Sequence, residues 1–153
     1  MLDLTDEQLI AAMENAVSRV APPGAEPIAN DRFPQIAGMF VEYDANQAPL
    51  EGLETVSEPS RIKTLVVTRV DGSEDVVIDN FMAQGDLSCT FRLATNSFIA
   101  GDGYAAFAAT RVVLSETGTG EQQILEDYIT GPLGSAVDLP EPLADPRVVH
   151  VLP

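Results

Sequence analysis

The segment from 94 to 104, which reads ATNSFIAGDGY, sets an aromatic ring close to a carboxylate between two glycines. Phe98 can stack on a nucleobase, and Asp102 can accept hydrogen bonds from the paired hydroxyls of a ribose. Asn96 and Gly103 flank the two and belong to the same candidate site. The pattern is equally typical of a turn, because glycine permits positive φ and Asp bonds its own backbone. These residues therefore predict either a nucleoside-binding loop or an ordinary turn.

A second ring lies where the sequence predicts a junction between a loop and a strand. Phe33 follows Asp31 and Arg32, and the corresponding end of another predicted strand carries Phe98. Two such rings could hold a base from both sides, with stacking worth about 1–3 kcal/mol per base. Core packing accounts for either ring alone, since the chain has six Phe, three Tyr and no Trp.

Other kinds of catalytic site lack the residues they need. A metal centre needs several His and carboxylate ligands, and the sole histidine, His150, lies in an apolar run near the end of the sequence. Neither Ser97 nor Cys89 has an obvious base to activate it, and Cys89 is expected to be a small buried apolar residue. The sequence Gly-Asp-Gly is too short for a phosphate-binding loop. We therefore predict no catalytic residues, metal ligands or cofactor in this chain.

The charge and hydropathy of the chain limit the kinds of partner that we expect it to bind. The 153 residues include 24 acidic and eight basic side chains, for a formal net charge of −16. Such a surface repels a phosphate backbone, so nucleic acid is not expected as a partner. No apolar run approaches the roughly 20 residues that cross a bilayer, and residues 1–7 lack the features of a secretory signal.

The spacing of apolar residues predicts an α+β fold, with two amphipathic helices packed on one mixed β-sheet. The first helix is predicted over 5–20, where Thr5 and Gln8 form a capping box, and the second begins at Glu121 and ends before Gly131-Pro132. Asp71-Gly72 predicts a β-hairpin, and residues 45–60 read as a long exposed connection. The predicted strands cover 33–43, 61–70, 74–78, 88–95 and 147–152.

Four ordered motifs resemble a known family. Residues 4–18 are similar to its "LTGxQLxxALExxVS" helix, 32–39 to "RFPQVSGL", 60–62 to "SRV", and 94–104 to "ATNSFLAxGGDGY". Over nearly its whole length the chain resembles the C-terminal, substrate-binding domain of the 5'-nucleotidase family, which includes bacterial periplasmic UDP-sugar hydrolases and animal ecto-5'-nucleotidases.

The resemblance implies a division of labour. An N-terminal metallophosphoesterase domain outside this chain would carry divalent metal ions and the hydrolytic chemistry. Residues 1–153 would form a single C-terminal-like domain that binds the nucleoside or nucleotide and hydrolyses nothing alone. Phe98 would stack on the base and Asp102 would contact the ribose. Phe33 is the best candidate for the second ring, although some members place that ring nearer to the position of Ile36. A periplasmic or extracellular location is implied as well.

The chain departs from the family pattern in two ways. The spacing from Phe98 to Asp102 is shorter, and one glycine of the pair is absent. Family members also carry, upstream of the first helix, a segment with "GGIR" and "PFxN" whose arginine contributes to the nucleotide site, so the resemblance implies a domain without its first segment. The alternative is a stand-alone, non-enzymatic interaction module with a degenerate nucleotide site.

Overall fold

In the computed structural model, residues 1–26, 29, 31–33, 35–87, 89–108, 118–137 and 147–151 are described. Along these residues the chain forms seven strands, three α-helices and a π-helical turn. In chain order they are β1 (Leu2–Thr5), α1 (Asp6–Val17), β2 (Met39–Tyr43), β3 (Ile62–Thr68), β4 (Glu74–Asp79), β5 (Met82–Ala83), β6 (Thr90–Leu93), the π-helical turn (Ile99–Gly103), α2 (Ala105–Ala108), α3 (Glu121–Thr130) and β7 (Val148–His150).

Five of the strands form a mixed sheet in the order β5-β4-β3-β2-β7. Adjacent strands of this sheet are antiparallel, except that β7 runs parallel to β2. β1 and β6 form a separate antiparallel pair. The α+β class and the mixed sheet are therefore confirmed. The terminal strand predicted over 147–152 is observed as β7, an edge strand of the mixed sheet, and residue 152 lies outside the described part.

Helix α1 begins as its sequence predicts, but it is buried on almost every side. The Thr5 hydroxyl accepts a hydrogen bond from the Gln8 amide, and the Gln8 side chain accepts one from the Thr5 amide, which completes the capping box. The polar residues Glu14 and Asn15 are as inaccessible as the apolar face. The predicted first helix is therefore present as Asp6–Val17 with its apolar face in the core, and loops cover its polar side and bond to it.

The sheet presents different faces to α1 and to solvent because side chains alternate along a strand. Val41, Leu65 and Ile78 are paired across β2, β3 and β4, and all three belong to the buried core that includes α1. The adjacent row on the opposite face contains Phe40 and Val66, together with other residues of a groove of about 520 Å³. The central strands therefore join the core to a second, more accessible face that carries both apolar and polar side chains.

Two strand predictions differ from the structure. The strand predicted from Phe33 begins only at Met39, because Gly38 has φ +73°, a left-handed conformation that interrupts extended backbone. The strand predicted over 88–95 is present as β6, but it pairs with β1 and is not part of the mixed sheet. β1 itself was not predicted, since four residues are too few to give a clear alternation.

Helix α3 lies at its predicted position, but it buries none of its residues. Ile124, Leu125 and Tyr128 on its apolar side are 51%, 59% and 54% exposed. The expectation that this second helix packs on the sheet is therefore wrong for the described residues. Cys89, expected to be buried, is exposed as well, because it lies just before β6.

The hairpin between β3 and β4 forms at Asp71-Gly72 as predicted, and Gly72 has φ +82°. We expect Gly72→Ala to lower the free energy of unfolding by about 1–2 kcal/mol, because an L-residue in this region strains its Cβ against the backbone. Gly72→Asn should cost less, since asparagine tolerates the left-handed conformation better. Urea unfolding of both variants measures this, and equal losses would contradict a conformational cause.

Candidate functional site

Phe98 lies on a short helical turn that Asn96 caps. The Asn96 side-chain oxygen accepts a hydrogen bond of 2.8 Å from the Ile99 amide, and the Asn96 carbonyl accepts one of 3.0 Å from the Ala100 amide. The ring of Phe98 is 71% exposed. An exposed phenyl ring on a capped turn is open to a flat ligand, whereas Asn96 has one side-chain acceptor already in use for the turn.

Asp102 and Gly103 follow in the π-helical turn Ile99–Gly103. Such turns are rare and often occur at functional sites. The Asp102 side chain lies outside the described part of the structure, so its expected ribose contact stays a prediction. The backbone places Asp102 and Phe98 on the same continuous helical segment.

Phe33 is half-buried and takes part in the core. Its ring meets that of Tyr43 edge to face, with centroids 6.2 Å apart and planes at 64°. It also lines a small apolar cavity together with Ile36, Val41 and Val148. Phe33, the candidate for the second ring, and Ile36 thus lie in one apolar patch, and core packing is part of the role of each.

Two residues that sequence reasoning did not assign link the candidate segments. The hydroxyl of Tyr104 donates a short hydrogen bond to the main-chain carbonyl of Arg32, which is bonded directly to Phe33. The Arg32 guanidinium donates to Asn15 Oδ1 at 3.1 Å and to Glu51 Oε2 at 2.6 Å. In the sequence, Tyr104 ends the GDGY motif and Arg32 starts the RFPQ motif. Neither residue type by itself predicts a hydrogen bond between the two motifs.

A buried polar cluster supports the same end of α1. The Glu14 carboxylate accepts hydrogen bonds from the amides of Ser60, Arg61 and Ile62, at 2.7 to 3.1 Å. Burial raises the pKa of Glu14 above its usual 4.5, against these three amides and the Arg61 charge, which lower it. The Ser60-Arg61-Ile62 motif thus fixes a loop to the helix, one residue before Asn15.

Metal-ligand clusters and membrane-spanning helices are absent from the residues that the structure describes. Within those ranges, no group of three or more His, Cys, Asp or Glu side chains is arranged to hold a metal ion. No helix in the described part of the chain is long and apolar enough to cross a membrane.

Comparison with known proteins gives a similarity in structure but none to a family model or a curated sequence. No family model and no curated protein sequence matches the chain. Among solved structures, the chain is similar to the crystal structure of a 5'-nucleotidase precursor from Thermus thermophilus, with a TM-score of 0.65 and 25% sequence identity. The similarity covers 98% of this chain and 24% of that chain, so the present chain corresponds to about a quarter of that protein's length. The fold is therefore that of a domain related to part of a 5'-nucleotidase.

Proposed function

We propose that this domain binds the nucleoside part of a nucleotide for a 5'-nucleotidase-like phosphohydrolase, whose metal-dependent catalytic domain lies outside this chain. The observation that carries the proposal is the exposed Phe98 ring on a capped turn, which continues into the π-helical turn with Asp102. The similarity to a 5'-nucleotidase precursor supports the choice of ligand class. It also supports an exported protein, as the sequence resemblance implies.

In the proposed complex, Phe98 stacks on the base, Asp102 accepts from the ribose hydroxyls, and Asn96 and Gly103 keep the two residues on one short turn. Phe33, whose ring also packs on Tyr43, supplies the second ring against the base. The phosphate is held by the metal ions of the catalytic domain. This arrangement accounts for the use of so acidic a domain with an anionic substrate, since the domain itself contacts only uncharged groups.

Calorimetric titration of the purified chain with adenosine, AMP and UDP-glucose tests the proposal. Phe98→Ala should weaken binding roughly 5- to 150-fold, the equivalent of one lost stacking contact. Tyr128→Ala is the matched control, because it removes another exposed ring, on α3, and should leave the affinity unchanged. Absence of binding by the wild-type chain at millimolar ligand, or equal affinities for wild type and Phe98→Ala, would contradict the proposal.

Two observations favour the second candidate, a non-enzymatic interaction module without nucleotide binding. The ring of Phe33 is half-buried against Tyr43, so only part of it is free for a ligand, and the spacing from Phe98 to Asp102 is shorter than the family pattern. Under this alternative, none of the three ligands would bind. Neither candidate predicts phosphate release from AMP by the isolated chain with added Mn²⁺, and release above a mock preparation would contradict both.

A further inference from the structure

Tyr104 follows directly on the π-helical turn and is 5% exposed. Its ring packs on that of Phe107 in α2, with centroids 5.3 Å apart. Burial raises the pKa of the Tyr104 phenol, and the nearby charge of Arg32 offsets only part of this. The hydroxyl is therefore protonated at neutral pH and serves as the donor to the Arg32 carbonyl.

The acceptor of this bond belongs to a turn that is itself fixed to the core. The Arg32 side chain bonds to Asn15 on α1 and to Glu51 in the long connection, while Phe33 packs on Tyr43 of β2. The Tyr104 hydroxyl adds a contact from the 96–104 segment to this turn. Since Arg32 and Phe33 share a peptide bond, a shift of the Arg32 carbonyl moves Phe33.

We propose that Tyr104 is a positioning residue that couples the segment bearing Phe98 to the turn bearing Phe33, and so sets the opening into which a nucleobase fits. This inference rests on the proposed function of the site. Tyr104 itself contacts no ligand, because its hydroxyl is used by the main chain and its ring by Phe107. It acts by fixing one wall of the opening relative to the other, which reduces the ordering that binding would otherwise require.

The Tyr104 hydroxyl could have a purely structural role or a positioning role, and the two predict different effects of its removal. A purely structural role would stabilise the contact between α2 and the core, and its loss would lower the unfolding temperature without changing the affinity of the folded protein. A positioning role predicts a change in affinity at temperatures where every variant is folded. Tyr104→Phe separates the two because it removes the hydroxyl and keeps the ring on Phe107.

The test is an adenosine titration of wild type, Tyr104→Phe, Phe33→Leu and the double variant, well below all of their unfolding temperatures. Phe33→Leu removes the ring and keeps an apolar side chain against Tyr43. We expect Tyr104→Phe to weaken binding roughly 3- to 10-fold in the wild-type background. In the Phe33→Leu background it should have little further effect, because the wall that it positions is gone.

The outcomes separate this inference from the proposed function. If wild type binds adenosine, Phe98→Ala loses it and Tyr104→Phe binds as wild type does, the inference is overturned and the nucleoside site stands. If Tyr104→Phe weakens binding equally in both backgrounds, the coupling to Phe33 is wrong. If wild type binds none of the ligands, the proposed function fails and this inference fails with it.

Discussion

Replacement of Arg61 by alanine is expected to lower the free energy of unfolding by roughly 3–5 kcal/mol. The Arg61 guanidinium is 5% exposed and donates hydrogen bonds to the carbonyls of Val17, Ser18, Val20 and Gln47, at 2.7 to 3.1 Å. Three of these carbonyls lie at or just beyond the end of α1, where a helix leaves acceptors without internal partners and where a positive charge is favourable. The variant would leave these acceptors buried without their donor.

Urea unfolding of Arg61→Ala against Arg19→Ala measures the effect. Arg19 is the matched control because its guanidinium is 42% exposed and pairs with Asp31 and Glu51 on the surface, so its loss should cost less than about 1 kcal/mol. Equal losses for the two variants would contradict a special role for the buried guanidinium. Arg61→Lys should fall between them, since an ammonium group lacks the planar fork that reaches several carbonyls together.

Glu14→Ala is expected to cost a similar amount, roughly 3–5 kcal/mol, because it leaves two buried amides and one partly buried amide without an acceptor. Glu14 is 0% exposed, and its two carboxylate oxygens accept hydrogen bonds from the amides of Ser60, Arg61 and Ile62. Calorimetric or urea unfolding measures the loss. Glu7→Ala is the control on the same helix, because Glu7 is only half-buried, and it should cost less than about 1 kcal/mol.

The same carboxyl gives a pH dependence with a defined sign. Burial raises the pKa of Glu14 in the folded state above the value of 4.5 for the unfolded chain. As the pH falls through that raised value toward 4.5, the folded state binds the proton first, so protonation favours folding. As the pH falls from the raised pKa to 4.5, the wild type should therefore gain stability relative to Glu14→Gln. Above the raised pKa, the wild type keeps the full cost of a buried charge. A stability difference between the two that does not vary with pH would contradict the raised pKa.

Local signals in the sequence were sufficient for several elements. The capping box of Thr5 and Gln8 and the turn at Asp71-Gly72 each involve residues close in sequence, and both are present in the structure. Strand β2 was predicted too long, because the left-handed backbone at Gly38 depends on a turn rather than on hydropathy. The burial of Glu14 could not be predicted, since its acceptor role depends on amides 46 to 48 residues away.

In the candidate site, too, some features depend on residues close in sequence and others on residues far apart. The Asn96 cap on the turn that carries Phe98 involves only neighbouring residues, but the sequence analysis predicted a loop or turn here and no cap. The bond from Tyr104 to Arg32 joins residues 72 positions apart, and no periodicity or turn signal indicates it. Phe33 could be assigned to the core or to a ligand from its sequence context, and the structure adds its contact with Tyr43 without a test of ligand binding.

The parallel pairing of β7 with β2 also has a kinetic consequence. His150 accepts a hydrogen bond from the Ala45 amide across 105 residues, and Arg92 reaches Asp3 across 89. The chain loses the entropy of closing a large loop before each of these contacts can stabilise it. We therefore expect these contacts to form more slowly than the hairpin of β3 and β4. During synthesis, β2 leaves the ribosome with one edge unpaired and keeps it so until residues 148–150 emerge. An unpaired strand edge templates association with other chains, so we expect β2 to be prone to aggregation during this interval.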